Sequence, residues 1–255
     1  MRSFKAFRLL MILCVFFCFK TFGQKEKDTI RVLFIGNSFT YFYNLPQVLS
    51  AMSEFSKTTH IETRHSLVGG STLEDHFYQR KNTKSIEILN TQSFDYVVMN
   101  HHSLAAIDGA NTFLETSKQM IDLIRSKNAT PVFIMTWGYK SNPLMIKTIS
   151  KAYNEMASRF DVDVVPCGLL FSQVRQWRPD LNLFDDDKHP SKFGTYLNAL
   201  ALFKYFTKEK TTVIPNRLFT NDSNNEKLYL LFLNNEESNF LKDLVEQYDF
   251  LNQLK

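Results

Sequence analysis

Five short apolar runs, at positions 29–35, 59–67, 96–100, 131–136 and 162–166, constrain the fold of this chain more than any other feature. Several are continuous rather than alternating, as expected of parallel strands covered on both faces. Stretches with helical spacing lie between them, at 45–55, 109–126 (Phe113, Met120, Ile121, Ile124) and 146–160 (Ile149, Tyr153, Met156). Repeated alternation of strand and helix predicts right-handed crossovers, hence a parallel sheet with helices on both sides. A chain of 255 residues that is 44% hydrophobic can bury one sizeable core, so one α/β domain with appendages is expected. The final third differs. After a helical stretch at 191–207 come Val213-Ile214-Pro215, a polar segment at 220–226 and two amphipathic pieces at 228–233 and 240–254. The expected organisation is a domain over 24–207 with a helical extension, 208–255, packed on it.

The first residues read as a targeting segment. Arg2, Lys5 and Arg8 precede an apolar run at 9–19, and Thr21 and Gly23 precede a cut ahead of Gln24. This is the pattern of a secretory signal peptide, 1–23. The run is shorter than the ~20 residues a membrane span needs. The chain is therefore expected to be secreted or periplasmic, without stable membrane insertion after cleavage. Removing Arg2, Lys5, Arg8 and Lys20 from the 30 basic residues leaves 26, equal to the 26 acidic ones. A near-neutral mature chain gives no basis for nucleic-acid binding. Cys14 and Cys18 leave with the signal, and Cys167 then stands alone, expected as a small buried hydrophobe.

Two distant motifs carry the chemistry. The first run ends in Gly36-Asn37-Ser38, and open α/β sheets place reacting groups at the carboxyl ends of their strands. Helical spacing does not resume until about Leu45, which puts Ser38 on a connecting loop; capping a following helix is its plain alternative use. The second motif is Asp185-Asp186-Asp187-Lys188-His189-Pro190. A serine hydroxyl needs a base, and the base needs an orienting acceptor. Asp186, three residues before His189, can reach Nδ1 if the chain turns once, leaving Nε2 to take a proton from Ser38. Asp185 and Asp187 have the wrong offset and are expected to face solvent. A metal site is the rival use of such a cluster, but no second cluster stands at ligand spacing.

Acyl transfer also needs donors aimed at a developing oxyanion. Val68-Gly69-Gly70-Ser71 suits a backbone N–H pointing into a site, or a plain turn before a helix at 73–80. Asn100-His101-His102-Ser103 ends the third run with polar side chains able to donate. Trp137 reads either as a sugar-stacking ring or as a core ring.

Together these residues resemble the SGNH (GDSL-like) hydrolases, and in particular a secreted bacterial branch of that family. Gly36-Asn37-Ser38 matches the family's Gly-Asp-Ser-like turn, Gly70 its oxyanion glycine, and Asp186, His189 and Pro190 its Asp-x-x-His-Pro block. Thr136-Trp137-Gly138 and Pro166-Cys167-Gly168 match two further blocks of the branch. The resemblance implies a flavodoxin-like α/β/α sandwich with a five-stranded parallel sheet. It implies Ser38 as nucleophile, His189 as base and then acid, and Asp186 as orienter, with no metal or organic cofactor. Gly70 would line the oxyanion hole, with Asn37, Gly69 and Trp137 as possible substrate-lining residues. The third block departs from the family's Gly-x-Asn-Asp, and comparison with the branch makes His102 the expected donor and Asn100 the alternative.

The functional expectation is a secreted serine esterase acting through an acyl-enzyme on short acyl groups, such as acetyl, carried by a glycan or another small-molecule ester. An acyltransferase on the same scaffold and a non-catalytic glycan-binding protein are the alternatives.

Overall fold

The computed structural model describes residues 26–248. The expected signal peptide, 1–23, and the end of the extension, 249–255, lie outside the described residues.

Five parallel strands form the central sheet: β1 (Asp28–Gly36), β2 (Thr59–Leu67), β3 (Tyr96–Met99), β4 (Thr130–Ile134) and β5 (Asp163–Val165), in the order β2-β1-β3-β4-β5. Val32 and Phe34 of β1 belong to the core on one face, while Leu33 and Ile35 belong to the core on the other. All four are fully buried, which is why the run is continuously apolar. One face is covered by α1 (Ser38–Tyr41), α2 (Leu45–Ser53), α8 (Cys167–Trp177) and α9 (Lys192–Thr207). The other is covered by α3 (Leu73–Phe77), α4 (Ser85–Thr91), α5 (Ala105–Asp108), α6 (Ala110–Ser126) and α7 (Met145–Phe160). Helix α8 was not expected, although Leu170, Phe171 and Val174 form its buried stripe.

The chain runs from β1 outward to β2, then returns to place β3 on the opposite side of β1. The connections leaving β1 and β3 therefore diverge, and a crevice opens between their carboxyl ends. Ser38 follows β1 there, and residues 100–103 follow β3.

The extension is not wholly helical, which corrects the expectation for 228–233. That segment forms β7 (Lys227–Phe232), paired antiparallel with β6 (Arg217–Asn221); only then comes α10 (Asn235–Gln247). Turn chemistry decided it. The Asp222 carboxylate accepts from Asn224 N and Glu226 N at 2.8 and 2.9 Å, and Asn225 takes a left-handed φ of 63°. The extension has a clear packing role. Tyr196, Leu197 and Ala199–Phe203 of α9 are all fully buried, so this helix needs cover on its outer side too. Leu218 and Leu231 of the hairpin and Leu241, Leu244 and Val245 of α10 join the same core. Among the described residues, no helix is long and apolar enough to cross a membrane.

Candidate active site

Ser38 does not sit on an open loop as expected. It is the first residue of α1, and Asn37 caps that helix by accepting from Phe39 N at 3.1 Å. The cap role falls to Asn37, which leaves the serine half-buried at the crevice.

His189 lies across from it, at the end of the Asp185–Pro190 segment. This segment is closed at its base: Phe184 pairs with Pro190, Asp185 N donates to His189 O, and Ser191 N donates to Leu183 O. One turn brings Asp186 back onto the histidine. His189 Nδ1 stands 2.6 Å from Asp186 Oδ2, and His189 N donates to Asp186 Oδ1 at 2.7 Å. A carboxylate only accepts, so the ring proton is on Nδ1 and Nε2 is an acceptor. That Nε2 is 2.8 Å from Ser38 Oγ. The structure thus brings Ser38, His189 and Asp186 into one chain of hydrogen bonds.

The Asp186 carboxyl is held well below the usual carboxylate range. Burial opposes this, but hydrogen bonds from the His189 ring and from the backbone N–H groups of His189 and Lys188 outweigh it. Its side chain is nonetheless 54% exposed, against 16% for His189. The imidazole lies flat on Phe42, with centroids 4.2 Å apart, and meets the edge of Phe39 at 5.9 Å. Asp185 and Asp187 are exposed, yet each is tied down. Asp185 accepts from Tyr43 Oη, and Asp187 accepts from Ser141 N and Oγ.

Two expected site residues are structural instead. Asn100 is 1% exposed, and both its amide hydrogens are spent, on Asn37 Oδ1 and His101 O at 3.0 Å each. Its own Oδ1 accepts from Thr40 Oγ1 at 2.6 Å. Asn100 therefore has no hydrogen to offer an oxyanion, which corrects its assignment as alternative donor. Asn37 is 4% exposed and donates to Ser71 O and His101 O, so it stitches together the loops after β1, β2 and β3 and does not line a substrate cleft. Gly36 makes room for this pair: a Cβ there would stand 1.9 Å from Asn100 Oδ1.

Trp137 is likewise corrected to a core ring. It is 1% exposed, stacks on Phe39 and Phe171 at 4.8 and 4.2 Å, and donates from Nε1 to Lys188 O. It thereby supports the histidine loop from beneath.

The remaining candidates lie at the rim. Gly69 and Gly70 are exposed, and Gly70 has a φ of 68°, which favours glycine. The Gly70 carbonyl accepts from Lys81 Nζ. This loop is held to the β1 end by a buried network. His76 Nε2 lies 2.9 Å from both Gly36 O and Ser71 Oγ, while its Nδ1 meets Ser85 Oγ. Burial lowers the His76 pKa, against the hydrogen bond to Gly36. His102 is half-buried, and its Nδ1 accepts from Leu104 N at 3.3 Å, which leaves Nε2–H as the free donor. Its pKa is lowered by burial, then by Lys188, with Lys81 adding and Asp108 opposing, so the ring is held neutral. A cavity of about 260 Å³ adjoins it, lined among others by Thr72, Leu73, His102, Asp108 and Phe113. Sequence reading also passed over the Ser38 N–H, which leads α1 and has no intrahelical acceptor. Among the described residues, no three His, Cys, Asp or Glu side chains gather as a metal ion would require.

By sequence, no family model and no curated protein matches the chain. Solved structures do match it by fold. A protein of Slackia heliotrinireducens described as an SGNH hydrolase is 22% identical, with a TM-score of 0.60 over 71% of this chain and all of its own. The acetyl xylan esterase AlAXEase is 14% identical, with a TM-score of 0.59 over 69% of this chain and all of its own. Axe2, an acetylxylan esterase of Geobacillus stearothermophilus, is 15% identical, with a TM-score of 0.55 over 69% of this chain and 93% of its own. The fold is that of the SGNH and GDSL hydrolases.

Proposed function

We propose that the chain is a serine ester hydrolase working through an acyl-enzyme. The observation that carries this reading is the unbroken relay from Ser38 Oγ to His189 Nε2, 2.8 Å, and from His189 Nδ1 to Asp186, 2.6 Å. As Ser38 Oγ attacks the ester carbonyl, its proton passes to Nε2. The resulting imidazolium is stabilised by Asp186 through Nδ1 and by the Phe42 face. The oxyanion is received by the N–H groups of Ser38 and Gly70, with His102 Nε2–H as the side-chain donor. The imidazolium then protonates the departing alkoxide, and water, activated by the same nitrogen, releases the acid and restores Ser38.

Acetyl is the acyl group this reading favours, on the fold shared with two acetylxylan esterases. A carbohydrate alcohol is supported by the same shared fold. Export through the N-terminal segment belongs to the same reading; N-terminal sequencing of protein recovered outside the cytoplasm checks it. Hydrolysis of 4-nitrophenyl acetate by the purified chain beside Ser38→Ala tests the enzyme reading. Loss of turnover in the variant supports it, and a folded wild type without turnover on this or on acetylated sugars overturns it. Transfer of the acetyl group to an added sugar, in place of its release, would convert the reading to an acyltransferase.

A further inference from the structure

Helix α1 begins with Ser38 and ends with Tyr41, three residues on and therefore on the same side of the turn. Tyr41 is 41% exposed, so part of its ring is open to solvent at the rim of the site. One face of it stacks against Phe42, centroids 5.6 Å apart, and Phe42 in turn carries the His189 imidazole. Its hydroxyl end reaches the opposite rim, 3.1 Å from the place a Cβ on Gly69 would occupy. The Tyr41 ring therefore spans the site from the support of the base to the loop bearing Gly70.

Tyr43, also 41% exposed, donates its hydroxyl to Asp185 in the segment that carries His189. Tyr43 and Asn44 are consecutive left-handed residues, with φ of 48° and 53°. Their turn leads directly into the buried Leu45 and Pro46 that open α2.

We propose that Tyr41 is the platform on which a sugar ring of the ester's alcohol part lies while its acyl group meets Ser38. The proposal rests on the esterase reading and names the substrate side of that same site. The exposed tyrosine face suits the C–H face of a pyranose, and the Asp185 carboxylate across the rim, held by Tyr43, suits its hydroxyl groups. A long aliphatic chain would instead need an enclosed apolar groove.

The test compares Tyr41→Ala and Tyr41→Phe on glucose pentaacetate and on methyl acetate, which has no ring to stack. The ratio of kcat/KM on the two esters should fall about tenfold in Tyr41→Ala, the scale of one aromatic contact, and should be held in Tyr41→Phe. An equal loss on both esters would mean that Tyr41 only braces Phe42, and overturns the platform, as would no loss on either. Saturation-transfer NMR on Ser38→Ala, with xylo-, gluco- and N-acetylglucosamine oligosaccharides, is independent of turnover. Contact to ring protons that disappears in Ser38→Ala/Tyr41→Ala upholds the platform even if neither ester is hydrolysed, a result that would sink only the esterase reading. No contact with any of these sugars overturns the platform.

Discussion

The imidazole of His189 lies on the ring of Phe42 with their planes only 4° apart and centroids 4.2 Å apart. Phe42 is itself fastened, its carbonyl accepting from Thr195 Oγ1 of α9. The base is thus positioned by three constraints: a carboxylate at Nδ1, a serine at Nε2 and an aromatic face beneath.

Removing the face should loosen the ring without touching either hydrogen bond directly. Phe42→Ala is expected to lower kcat by about tenfold to a hundredfold, the cost of slight misplacement of a reacting group, with KM for a small ester little changed. Steady-state kinetics on 4-nitrophenyl acetate checks this. A KM effect with kcat intact would show that Phe42 contacts substrate instead.

Ser38→Ala and His189→Ala should each reduce kcat by ~10⁴–10⁶. Asp186→Asn should cost less than either, because this carboxylate is 54% exposed and water can partly replace it. Asp187→Asn, which weakens only the tie to Ser141, should cost least. Ranking the four variants by kcat decides whether Asp186 is the orienting carboxylate. EDTA should leave the wild-type rate unchanged.

Gly36→Ala should be severe. Its Cβ would fall 1.9 Å from Asn100 Oδ1, and Asn100 is locked by Asn37, Thr40 and His101. A loss of about 3 kcal/mol in unfolding free energy, at the upper end for overpacking, is expected from denaturant titration. Gly36→Ala/Asn100→Ala should recover part of the stability but not the activity, since the loops after β1 and β3 would no longer be joined.

Acid should destabilise the fold from about neutral pH downward. His101 is sealed against Phe113 and Phe133, and burial, with His102 adding, pushes its pKa down to about 3. Above the unfolded value of 6.5 the ring is neutral in both states and contributes no slope. Below it only the unfolded chain takes the proton, so stability falls by up to about 1.4 kcal/mol per pH unit until the folded ring also protonates near pH 3. Urea unfolding between pH 7.5 and 4.5 should show this slope, and it should be shallower in His101→Phe. Parallel slopes in the two proteins would remove His101 as the cause.

Much of this was legible from residue order. The five runs appear as the five strands of the sheet, because continuous apolar strands can only be stable with both faces covered. The contact between Asp186 and His189 was legible because it is local: three residues and one turn set it. The hairpin at β6 and β7 was misread because short apolar segments fit both periods, and the turn at Asp222–Glu226 carried the deciding signal.

What the chain determines by itself, then, are its elements and its short-range pairings, since these follow from periodicity, turn chemistry and spacing along the backbone. Only the tertiary structure decided that Asn37 and Asn100 bind each other, that Trp137 lies in the core, and that Phe39 and Phe42 frame His189. Asn37 and Asn100 are amides at the ends of adjacent strands, and both could have faced a substrate. Which groups face inward depends on which strand lies beside β1 and in what register, and the pairing of Ile35 with Met99 is a property of the assembled sheet.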